Sequence, residues 1–132
     1  MKYLIDTHVI IWFLAEPNQL SKKMKEILQN PNNTILFSPI SFWEISIKYG
    51  SGKLDLNDLM PNELPKKLIE VGFEEATLSS KDAASHYQLS ATYHRDPFDR
   101  MLIWQAMQNN YTLVSDDALI RKYSSEGLKL IW

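Results

Sequence analysis

The stretch Lys2-Tyr3-Leu4-Ile5-Asp6-Thr7 decides how the rest of the chain is read. A short run rich in strand formers stops abruptly at an acid, which is the pattern of a buried strand ending at its polar rim. Thr34-Ile35-Leu36-Phe37 repeats it, and Ser38-Pro39 follows at once. A serine cap with proline at the first helical position then starts a helix through Trp43 and Lys48, ended by Gly50-Ser51-Gly52. Working outward, Val9 to Ala15 reads as helix broken by Pro17-Asn18, and Ser21 caps a helix to Gln29 closed by Asn30-Pro31. A polar stretch from Asp55 to Asn62 precedes a helix over Leu64 to Val71, closed by Gly72. A third strand is expected over Phe73 to Leu78, then a helix over Lys81 to Ser90 capped by Ser79-Ser80. Asp96-Pro97 opens a helix to about Asn109, Tyr111 to Val114 is a fourth strand, a short helix starts at Asp117, and Leu128 to Trp132 is a fifth strand. Strands alternating with helices over short connections imply an α/β domain, a mostly parallel sheet covered by helices on both faces.

Composition agrees with a single domain over residues 1–132. The chain is 45% hydrophobic and 23% charged, and it has no cysteine. A chain of this length buries roughly two-thirds of the surface its unfolded form exposes, so it needs no staple. Without cysteine there is no disulfide framework, thiol nucleophile or thiolate-held metal. The longest strongly apolar stretch, Val9 to Ala15, is far short of the roughly 18 residues of a membrane span. Asp6 and His8 interrupt any signal-peptide core, so the expectation is a cytoplasmic protein with no membrane partner. A net charge of −2 excludes holding nucleic acid by bulk basicity.

The acids carry the chemistry. In open parallel sheets, ligands bind outside the carboxyl ends of the strands. Asp6 follows the first strand and Asp116-Asp117 follows the fourth, while Glu44 sits in an otherwise apolar helix and Asp99 in the first turn of the helix opened by Asp96-Pro97. Converging carboxylates repel one another in a partly dry pocket, and either protonation or a divalent cation relieves this. Hard oxygen ligands suit Mg²⁺ or Mn²⁺, which points to metal-assisted phosphodiester hydrolysis. Structural roles compete at every position. Asp6 and Asp117 read equally as helix caps, Glu44 as the partner of Lys48 one turn on, and Asp96 with Asp99 as a near capping box. His8 and His94 read as structural or supporting, and Trp12, Trp43 and Trp104 as core.

Together these segments resemble a known family. Asp6-Thr7-His8 with Trp12, Ser38 through Lys48, His94-Arg95-Asp96-Pro97-Phe98-Asp99-Arg100 with Leu102-Ile103 and Gln105-Ala106, and Leu113-Val114-Ser115-Asp116-Asp117 are similar to the PIN domain, most of all to VapC-type toxins of prokaryotic toxin–antitoxin pairs. The resemblance implies a three-layer α/β/α fold with about five parallel strands and a Mg²⁺- or Mn²⁺-dependent endoribonuclease. It implies that Asp6, Glu44, Asp99 and Asp117 form the catalytic metal-binding cluster, with Asp96 and Asp116 as alternative ligands. Thr7 and Ser115 match hydroxyls that orient the acids or their waters. It also implies an RNA substrate such as transfer RNA, a cognate antitoxin and a homodimer. Lys48, Arg95 and Arg100 are candidates for flanking phosphates.

Two rival classes remain. A receiver domain wants paired acids after the first strand, and a haloacid-dehalogenase-like phosphatase wants Asp-x-Asp where this chain has Asp6-Thr7-His8. A catalytically silent PIN-like binding module would act by partner contact alone, and retention of the acids argues against it.

Overall fold

The computed structural model describes residues 1–132. Five strands form one sheet: β1 (Lys2–Ile5), β2 (Thr34–Phe37), β3 (Glu74–Glu75), β4 (Thr112–Val114) and β5 (Lys129–Ile131). Their order is β3-β2-β1-β4-β5 and every pairing is parallel. The helices are α1 (Thr7–Ala15), α2 (Lys22–Gln29), α3 (Pro39–Gly50), α4 (Leu64–Glu70), α5 (Ser80–Ser85), α6 (Pro97–Asn109) and α7 (Ala118–Arg121).

Alternation along the strands builds the two cores. Tyr3, Ile5, Ile35, Phe37 and Val114 pack on one side with Val9, Ile10, Met24, Leu28, Ile45 and Leu68 of the α1, α2, α3 and α4 helices. Leu4, Leu36 and Leu113 face the other side, against Leu102, Ile103 and Ala106 of α6 and Ile120 of α7. Both faces of β1 and β4 are thus buried, as an all-parallel sheet requires. The three-layer α/β/α arrangement read from the sequence is the observed one.

The strand order sets the site. From β1 the chain steps outward to β2 and β3, then returns across the sheet to β4 and steps the other way to β5. Connections leaving β1 and β4 therefore diverge and open a crevice between their carboxyl ends, which is where such sheets bind ligands. Ile5 is in register with Val114, so Asp6 and Ser115 emerge side by side at that edge.

Three expectations are corrected. The third strand shrinks from Phe73–Leu78 to Glu74–Glu75, both exposed, leaving a short acidic edge that resists pairing with another chain. The helix expected to Ser90 ends at Ser85 and passes into a 3₁₀ turn over His86–Gln88, because Arg100 draws the carbonyls of Leu89, Ala91 and His94 toward itself. Trp43 is not core: it is 62% exposed and meets Phe98 edge-on at 5.5 Å, whereas Trp104 is buried and donates to Ser85 Oγ at 3.0 Å.

Candidate active site

Three of the acids are helix caps, each through one oxygen. Asp6 Oδ1 accepts the Val9 N–H at 2.9 Å at the start of α1. Asp96 Oδ1 accepts the N–H groups of Phe98 and Asp99 at 2.8 and 3.1 Å at the start of α6. Asp117 Oδ1 accepts those of Leu119 and Ile120 at 2.7 and 3.1 Å at the start of α7. Capping and clustering, which read as rivals in the sequence, coexist because a carboxylate has a second oxygen. Helix N-termini are where negative charge is best tolerated.

Asp99 lies one turn inside α6 and is buried. Burial, followed by the charges of Asp96 and Glu44, pushes its carboxyl up to about 7, despite the opposing influence of His94. Burial also raises Asp6, with the Ser115 hydroxyl and the Val9 N–H opposing. Asp117 goes the other way. Partial burial would raise it, but the Ile120 N–H, His94 and the Leu119 N–H outweigh this and hold it below the usual carboxylate range.

Glu44 comes from the middle of α3 and is only 2% exposed. Its Oε2 meets Lys48 Nζ at 2.5 Å, so the i,i+4 pairing is present, while the buried Oε1 has no hydrogen-bond partner. Burial alone would lower the Lys48 ammonium, but the hydrogen bond and charge of Glu44, with Asp96 and Asp99, leave it raised.

His94 joins the site. Its Nε2 lies 3.1 Å from Asp99 Oδ2 and 3.1 Å from Asp117 Oδ2, bridging acids from α6 and α7. The sequence reads it as structural or supporting, and its place two residues before the Asp96 cap is the signal for the second of these.

Supporting positions divide. Ser115 Oγ accepts the Asp117 N–H at 3.1 Å beside Asp6. Thr7 Oγ1 donates to Ser41 Oγ at 3.0 Å, tying α1 to α3 rather than touching an acid. Asp116 is exposed and pairs with Arg121 at 3.1 Å, yet it lines a small pocket with Asp6, His8, Trp12 and Asp117, whereas Asp117 also meets His94 Nε2. Arg95 is exposed, whereas the Arg100 guanidinium is taken up by three loop carbonyls and the Tyr123 hydroxyl. A cleft of about 340 Å³ opens beside the acids between α1 and α3, lined among others by His8, Trp12, Glu44, Lys48 and Lys53.

The donor set fits a hard divalent cation. Ligand atoms of His94, Asp99 and Asp117 lie within 4.8 Å of one another, Glu44 adds an orphaned buried Oε1, and burial together with the Asp96 and Glu44 charges raises Asp99. Sheet order and acids together define a class: parallel α/β domains with a carboxylate cluster at the switch point. The PIN domain family model matches residues 3–126, and the chain belongs to that family. It is 23% identical to Ribonuclease VapC22 of Mycobacterium tuberculosis, over 98% of this chain and 97% of that protein. Among solved structures, it is similar to VapBC2 from Rickettsia felis bound to a DNA fragment from their promoter, with a TM-score of 0.70, 21% identity and coverage of 100% and 99%. VapBC-1 from nontypeable Haemophilus influenzae matches with a TM-score of 0.67 at 16% identity, covering 99% and 97% of the two chains.

Proposed function

We propose that this chain is an endoribonuclease that depends on Mg²⁺ or Mn²⁺ and acts as the toxin of a toxin–antitoxin pair. The observation that carries the reading is the convergence of Asp6, Glu44, Asp99 and Asp117 from four separate elements on one crevice, with Glu44 Oε1 buried and unpartnered. A relative named as a ribonuclease and similar structures named as VapBC complexes support it.

Asp6, Glu44 and Asp99 would hold the cation, with Asp117 completing the cage. When bound, such an ion lowers the pKa of a coordinated water and offsets charge on a phosphodiester. The protein's own part is to set the geometry. Capped helix starts fix Asp6 and Asp117, burial keeps competing water from Glu44, and Lys48 with exposed Arg95 offers positive charge to flanking phosphates. Lys53 and Trp12 in the adjoining cleft offer a second cation and an aromatic face to an RNA strand such as a transfer RNA loop.

Purified protein should cleave RNA with Mg²⁺ or Mn²⁺ and stop when EDTA is added. Asp6→Asn should lose at least about a hundredfold in rate with its circular dichroism unchanged; cleavage by that variant at the wild-type rate would overturn the site. An antitoxin is the proposed protein partner, its basic side chains entering the acidic crevice. A homodimer is proposed through the outer face of α3, where Trp43 and Ile47 are 62% and 46% exposed.

A further inference from the structure

His94 touches two of the four acids, and its other ring nitrogen decides what it can be. The Asp96 N–H points at His94 Nδ1 at 3.2 Å, so Nδ1 must be an acceptor. A ring with an unprotonated Nδ1 carries its proton on Nε2, and that nitrogen faces Asp99 Oδ2 and Asp117 Oδ2 at 3.1 Å each. A histidine that ligates a cation needs the opposite arrangement, a bare Nε2 and an Nδ1–H donated to an acceptor.

The backbone that carries the ring is also held on both sides. The His94 N–H donates to the Tyr123 hydroxyl at 3.2 Å, and the His94 carbonyl accepts from Arg100 at 3.1 Å. With only 7% of the residue exposed, the imidazole has little room to turn over. We propose that His94 is a positioning residue: its Nε2–H, fixed by the Asp96 amide, donates to Asp117 Oδ2 while the ring edge rests 3.1 Å from Asp99 Oδ2, so that the imidazole clamps the two carboxylates at a set separation for the cation. Asp96 then serves the site through its backbone N–H, which orients His94, as well as through the cap that starts α6. The inference rests on the proposed cation cage.

The test compares His94→Gln, whose terminal amide keeps a donor near Nε2, with His94→Leu, which fills the space and keeps none. Calorimetric Mg²⁺ affinity, measured without RNA on variants shown by thermal melting to be folded, should stay within about threefold of wild type for Gln and fall roughly tenfold or more for Leu. Nitrogen NMR of metal-free wild-type protein labelled at histidine should show His94 protonated at Nε2 and bare at Nδ1. A proton on Nδ1, equal loss of affinity in both variants, or full affinity in His94→Leu would each overturn the clamp. If wild type itself fails to bind Mg²⁺, the cation reading falls and the clamp with it; if wild type binds and the Leu variant binds equally, only the clamp falls.

Discussion

Asp99 is the residue at which the charge conflict of the site is concentrated. Its folded value of about 7 lies above the ordinary 3.8, so its contribution to stability is present in full below pH 4 and is lost as pH rises through 7. Asp6 shifts in the same direction, whereas the lowered Asp117 stabilises above the ordinary carboxylate value and loses that only in acid. Metal-free protein should therefore melt at a lower temperature at pH 8 than at pH 5, and millimolar Mg²⁺ should restore most of the difference at pH 8; calorimetry across that range checks both. Asp99→Asn removes the ionised form and should stabilise metal-free protein at pH 8 by up to a few kcal/mol, while abolishing cleavage. Asp96→Asn keeps a good cap and the backbone N–H to His94, so it should leave stability within about 0.5 kcal/mol and reduce cleavage far less. Parallel measurements on the two variants would separate a ligand from a cap.

At the scale of elements, the loop before α6 is held by Arg100 together with the Tyr123 hydroxyl. Arg100 donates to the carbonyls of Leu89, Ala91 and His94 and to the Tyr123 hydroxyl, at 2.6–3.1 Å. A lysine has no planar fork to reach these acceptors together, so Arg100→Lys should cost about 2–4 kcal/mol in urea denaturation. Arg95→Ala, exposed and unpaired, should weaken RNA binding with no such cost. Such contrasts mark what could be read from the chain. Ser21, Ser38, Asp96 and Asp117 announced their helices correctly because a cap is a local event between a side chain and amides two or three residues on. β1, β2 and β4 were equally plain, being apolar on both faces. The shortened β3 and α5 were not, since both depend on partners distant in sequence, Phe37 for one and Arg100 for the other. The acids could be listed from the sequence, but the bridging role of His94 could not, because Asp117 lies 23 positions away and meets it only once the strands are in register.

For the whole molecule, the net charge of −2 and the acidic crevice make opposite demands on an RNA-acting protein. A cation bound among the carboxylates inverts the local field where a phosphate must sit. Asp6→Asn protein should accordingly bind RNA weakly in EDTA, with a shallow dependence on salt, since few phosphates are neutralised by fixed basic groups. Light scattering should report a dimer for wild type and a monomer for Trp43→Glu, with far-ultraviolet circular dichroism unchanged because that side chain lies outside both cores. No helix is long and apolar enough to cross a membrane.

The double duty of the capping aspartates has an evolutionary side. Asparagine caps a helix as well as aspartate does, so one base change at position 6 or 117 would silence the chain without unfolding it. Selection for a folded protein therefore does not guard the activity, and inert copies would persist at full abundance. On the proposed dimer they would keep the outer face of α3 intact and pair with active copies, making loss of function dominant rather than recessive.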